Sequence, residues 1–106
     1  MKVMNTNLIF KALSNETRLQ ILELLKSPNQ NFGPQLFLPE DAEFEGGICV
    51  GSIQEKTGLA QSVISSYLTL MKNAGLLESR RFGQWTFYRR NEEIIKNFAD
   101  YIQKHL

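Results

Sequence analysis

Side chains able to bond phosphate oxygens or base edges gather at two places in this chain. The first is residues 59–75, LAQSVISSYLTLMKNAG, with Ser62, Ser65, Ser66, Thr69, Lys72 and Asn73. The second is a run of arginines, Arg80, Arg81, Arg89 and Arg90, with no carboxylate from Ser79 to Asn91. Hydroxyls and amides bond phosphates and bases, and guanidinium groups neutralise phosphate. Two other residues carry reactive groups, Cys49 and His105, and each is the one residue of its kind. One cysteine forbids an intramolecular disulfide and a multi-thiolate metal site within a subunit. Together with scattered carboxylates these offer no nucleophile–base pair, so an enzyme is not expected.

Helical spacing explains the first group. Val63, Ile64, Tyr67, Leu68, Met71 and Ala74 form one stripe, and the polar residues form the opposite face. An ordinary solvated helix would carry Glu/Lys pairs there. Short side chains instead allow close approach to another surface, as in the second helix of a helix-turn-helix entering a major groove. The plainer reading is a core helix with a serine-rich solvent side. Its N-cap is expected at Ala60, a poor cap, with Ser62 as an alternative. The arginines bracket a predicted hairpin from Leu76 to Arg90, turning at Gly83-Gln84, with Trp85, Thr86, Phe87 and Tyr88 as strand formers. Arginines on a projecting hairpin suit phosphate or a minor groove.

Other elements must hold these two. Residues 5–13 read as a helix. Ser14 and Asn15 cap a second from Glu16 to about Lys26, whose Leu19, Ile21, Leu22, Leu24 and Leu25 predict the most buried helix. Ser27-Pro28 ends it. Residues 28–47 hold three prolines, three glycines and no sustained period, and read as a long insertion with a short strand at 35–38. An acidic, proline-rich middle favours a mobile surface segment. Phe32, Phe37 and Phe44 favour instead a dimer-contact or partner-docking loop. A short helix from about Gly51 to Gly58 precedes the organising helix. Asn91 caps a last helix, Glu92 to about His105, whose Ile94, Ile95, Phe98, Tyr101, Ile102 and Leu106 suit pairing with a second copy.

Length and charge agree with one domain. The 106 residues carry a net charge of +1. Residues 28–48 contain Glu40, Asp41, Glu43 and Glu45 and no basic residue, so the remainder carries +5 and can meet a polyanion. No apolar run suits a membrane span and no signal segment opens the chain, so a cytoplasmic protein is expected.

The chain resembles the ArsR/SmtB family of winged helix-turn-helix repressors. The resemblance rests on FKALSNETRLQILELL at 10–25 and GLAQSVISSYLTLMKNAGLLESRRFGQWTFYRR at 58–90, and with the terminal helices it covers all but residues 28–47. It implies a mainly α fold with a small β-hairpin, in the order α-α-α-α-β-β-α. It also implies a bacterial or archaeal homodimer, joined through the first and last helices, on a palindromic double-stranded DNA operator. A bound effector would release the DNA. By the same resemblance Gln61, Ser62, Ser65 and Ser66 face the groove, Thr69 and Lys72 touch backbone, and Arg80, Arg81, Gly83 and Gln84 form the wing. The chemistry agrees, since Gln61 can pair bidentately with adenine. Where the family often has His this chain has Tyr67, which is expected to pack with its hydroxyl at the edge and to sense nothing.

Many members bind metal through Cys-x-Cys at the third helix. Here the text is Cys49-Val50-Gly51, and the second thiolate is missing. The last-helix positions correspond to Glu92, Ile94 and His105, and Ile94 cannot ligate. No metal or cofactor is therefore expected, and the effector is unknown. Cys49 is either a small, partly buried apolar residue or a redox sensor near a helix N-terminus. A different class of function remains open: a winged-helix protein-interaction module that has lost DNA contact.

Overall fold

The computed structural model describes residues 4–106. Its helices are α1 (Thr6–Leu13), α2 (Glu16–Lys26), α3 (Pro28–Asn31), α4 (Val50–Thr57), α5 (Gln61–Asn73) and α6 (Glu92–His105). Its strands are β1 (Ile48–Cys49), β2 (Leu77–Phe82) and β3 (Trp85–Arg90). This is the winged helix-turn-helix order, with two small elements added to the expected one. The first is α3, a single turn begun by Pro28 at its N-terminus. The second is β1, which pairs antiparallel with β3 through Ile48↔Tyr88 and Cys49↔Phe87, giving sheet order β1-β3-β2. Two residues are too few to show an alternation, so β1 was legible only through its partner.

Side-chain caps begin α1, α2 and α6, and those at Asn15 and Asn91 are the expected ones. Asn5, Asn15 and Asn91 each accept a backbone N–H three residues on, at 3.1, 2.9 and 3.2 Å. The core lies where α1, α2, α4, α5 and the inner face of the sheet meet. Ile9, Ala12, Ile21, Ile53, Ile64, Leu68 and Met71 are fully buried there. The most buried stripe belongs to α5 and not to α2 as expected: α2 turns Ile21, Leu22 and Leu25 inward and leaves Leu19 41% exposed. Five apolar residues in one short helix exceed what a single face can bury.

The inserted segment differs from its expected form. No strand forms at 35–38. Pro34 and Pro39 flank only four residues, and the Leu38 N–H donates to the Gln35 carbonyl at 3.2 Å in a turn. A 3-10 turn follows at Glu40–Ala42. The segment is not a free surface loop. Its Phe44 is buried, its Phe32 packs on the core, and Phe37 stacks on Trp85.

Candidate nucleic-acid interface

Three residues, 58–60, join α4 to α5. The Gly58 N–H donates to the Gln54 carbonyl at 2.8 Å and stops α4. α5 then buries Ile64, Leu68 and Met71 on one side. On the other, Gln61, Ser62, Ser65, Ser66, Thr69 and Lys72 are all exposed, and the helix contains no carboxylate. Ala60 is the N-cap and neither it nor Ser62 caps the helix through a side chain. The Val63 N–H donates to the Ala60 carbonyl at 3.1 Å, which leaves the N–H groups of Gln61 and Ser62 open to an outside acceptor, and the helix dipole favours an anion there. Tyr67 is half-buried against the core. Its hydroxyl accepts from Asn15 Nδ2 at 3.5 Å, and the Arg18 guanidinium lies 5.0 Å from its ring.

The wing is the β2–β3 hairpin. Phe82 pairs with Trp85, leaving Gly83 and Gln84 as a two-residue turn. Gly83 has φ 61° in the first central position, the place a type II′ hairpin turn reserves for glycine. Gly83 and Gln84 are exposed, as are Arg80 and Arg81. Cross-strand partners share a face, so Arg81 lies with Thr86, and Arg80 lies with Phe87 on the opposite face. The two arginines thus look to opposite sides of the wing.

The four arginines are not equivalent, which corrects the expectation of an unbalanced basic hairpin. Arg89 pairs with Glu78 at 3.2 Å, its direct cross-strand neighbour. Arg90 forms a bidentate pair with Glu92 at 2.9 and 3.0 Å and also donates to the Leu22 carbonyl. Both carboxylates lie just outside the Ser79–Asn91 window, and pairing of strands brings one of them back. Among the described residues Arg80 and Arg81 hydrogen-bond only to carbonyls: Arg80 donates to Ala42 at 2.7 Å and Arg81 to Gly83 at 2.9 Å.

A cleft of ≈ 410 Å³ runs between the start of α4, α5 and the wing tip. It brings Gln61, Ser65 and Gln84 onto common walls, and adds Gln54 and Thr86, which the sequence did not single out. Thr86 could have been found from the hairpin register, as the partner of Arg81. Cys49 also lines this cleft. It is the half-buried N-cap of α4, its N–H donates to Gln35 Oε1 at 2.8 Å, and its Sγ lies 3.2 Å from Ser52 Oγ. The other candidate ligands lie at opposite ends of α6. Glu92 is held by Arg90 at one end of α6, and His105 stacks on Tyr101 at the other, with ring centroids 4.4 Å apart. Among the described residues no three His, Cys, Asp or Glu side chains converge as a metal site requires.

No protein-family model matches the chain. Individual relatives do. It is 42% identical over 98 residues to YbzH, an uncharacterized HTH-type transcriptional regulator of Bacillus subtilis, across 92% of this chain and 95% of that one. It is 31% identical over 86 residues to the arsenic resistance transcriptional regulator ArsR2 of Pseudomonas putida, across 81% of this chain and 60% of that one. Among solved structures it matches the homodimeric winged helix-turn-helix DNA-binding domain Mb0332 of Mycobacterium bovis, described as a possible ArsR-family transcriptional regulator. That match has TM-score 0.63 and 31% identity, over 90% of this chain and 72% of that one.

Proposed function

Because the chain belongs to the ArsR family of winged helix-turn-helix transcriptional regulators, we propose that it is a repressor that binds a palindromic operator as a homodimer. The whole chain acts as one DNA-binding and dimerisation unit. α5 enters the major groove, Gln61, Ser62, Ser65 and Ser66 read base edges, and Thr69 and Lys72 touch the backbone. Arg80, Arg81, Gly83 and Gln84 grip the flanking strands, and the uncapped first turn of α5 takes a phosphate. Repression follows by exclusion of polymerase from an overlapping promoter. The observation that carries this reading is the split of α5: one face fully buried, the other exposed, polar and free of carboxylate.

Dimerisation is proposed through α1 and α6. Phe10, 42% exposed, meets Phe98 edge-on at 5.2 Å, and Tyr101, Ile102 and the 85% exposed Leu106 extend the strip. No metal takes part, because a lone thiol, Gly51 and Ile94 do not supply a ligand set. No described helix is long and apolar enough to cross a membrane, and a DNA target places the action in the cytoplasm.

A salt titration tests the proposal. Arg80→Ala or Arg81→Ala should weaken binding to every duplex and flatten the slope of log K against log salt by about 1. Gln61→Ala should instead erode preference among sequences, by about 1–3 kcal/mol at the base it reads. Absence of salt-dependent binding points to the protein-interaction alternative, and binding that survives all three changes overturns the contact assignment.

A second reading is favoured by the place of Cys49 on the wall shared with Gln61, Ser65 and Gln84. A peroxide would oxidise the thiol to a sulfenic acid with release of water. A small-molecule thiol would then condense with it, releasing a second water and leaving a mixed disulfide in the cleft. Cys49→Ser should bind DNA as the wild type does and keep binding in peroxide and thiol. An equal response to oxidant in that variant removes the idea.

A further inference from the structure

The outer face of the wing carries Arg80, Phe82, Trp85, Phe87 and Arg89, since cross-strand partners share a side. Bare, it would expose three aromatic rings. The inserted segment covers it. Phe37 stacks on Trp85 with ring centroids 4.3 Å apart and 10° between planes. Phe44 is 3% exposed, and its ring centroid lies 5.4 Å from the guanidinium carbon of Arg80 and 4.2 Å from that of Arg89. Arg80 Nη1 donates to the Ala42 carbonyl at 2.7 Å, and Arg89 Nη1 to the Glu45 carbonyl at 3.3 Å. Local backbone shapes this seat. Glu43 is left-handed at φ 54° directly before Phe44, and a Cβ on Gly47 would stand 2.5 Å from the Phe44 ring.

We infer that Phe44 is a positioning residue for DNA binding: its ring and the Ala42 carbonyl hold the Arg80 guanidinium in one orientation. The inference rests on the wing contact proposed above. Only one of the guanidinium N–H groups is spent on Ala42, so the others remain for a phosphate. An arginine already held loses less side-chain freedom when it meets the phosphate, and it binds more tightly for that reason. Arg89 lies closer to the same ring, but Glu78 neutralises it. Arg80 has no carboxylate partner among the described residues and is exposed, so it is the arginine that this seat presents. In this chain the grip of the wing is set by a segment far from the wing in sequence.

The test compares Phe44→Leu, Arg80→Ala and the double variant on a random-sequence duplex of about 30 base pairs across a salt series. Leucine keeps the seat apolar and removes the ring face. Phe44→Leu should weaken binding about three- to ten-fold, and the double variant should bind no worse than Arg80→Ala alone, because the arginine that remains on the seat, Arg89, is already neutralised by Glu78. Additive losses, or wild-type affinity for Phe44→Leu, overturn the positioning role. Wild-type affinity for Arg80→Ala overturns the wing contact itself and the positioning role with it, so the two failures are told apart.

Gly47→Ala provides the same test if Phe44→Leu does not fold, since its Cβ would stand 2.5 Å from the Phe44 ring and must shift it. A loss of affinity that vanishes in the Arg80→Ala background supports the role. Wild-type affinity overturns it.

Discussion

Phe10→Asp should leave a folded monomer whose affinity for DNA is lower by about 10²–10⁴-fold, the avidity lost when two linked half-sites become one. Phe10 is large, apolar and 42% exposed in the single subunit, and it stands edge-on to Phe98 of α6. A ring so placed contributes little to the core of its own subunit and is available to a second copy in the dimer proposed through α1 and α6. A carboxylate there would be buried without a partner in a dimer, at a cost that a loosely packed interface cannot offset. In the monomer it simply meets water. Light scattering during gel filtration should therefore give half the wild-type mass, with unchanged helical circular dichroism. A stable dimer that binds DNA normally would move the interface away from α1 and α6.

Leu68→Ala should cost about 2–5 kcal/mol of folding stability, the range for deleting a fully buried leucine. Leu68 has no exposed surface and sits mid-helix on the buried stripe of α5, between Ile64 and Met71. Small domains hold only about 5–15 kcal/mol in total, so this loss takes a large share. Ser65→Ala, on the other side of the same helix, should change stability by less than about 0.5 kcal/mol and act on DNA affinity alone. Urea unfolding and DNA titration of both variants separate the faces. A stable Leu68→Ala would mean that the stripe is not the core seam. A destabilised Ser65→Ala would mean that the serine face is structural.

The division of α5 was legible because helical period depends only on neighbours three and four residues away. The same holds for the caps at Asn15 and Asn91 and for the hairpin turn at Gly83, which answer to local chemistry. Each of the residues proposed to contact DNA is exposed. What misled was the assumption that charges nearby in sequence are the ones that matter. Glu78 faces Arg89 only because β2 and β3 pair in one register, and Arg90 reaches past the hairpin to Glu92 and α2. The insertion was misread likewise. Its prolines and carboxylates suggest mobility, while Phe37 is held by Trp85, Phe44 by Arg80 and Arg89, and Phe32 by the core.

By itself the sequence determined α1, α2, α4, α5 and α6, the hairpin, and the polar and apolar faces of α5, since each rests on interactions within a few residues. Only the tertiary structure decided that Arg80 and Arg81 have no carboxylate partner among the described residues while Arg89 and Arg90 do, that Cys49 borders the cleft of α5, and that residues 33–47 roof the wing. Those outcomes depend on contacts such as Arg80 with Ala42, 38 residues apart. Closing a loop of that length is a property of the whole packed chain, and no local pattern encodes it.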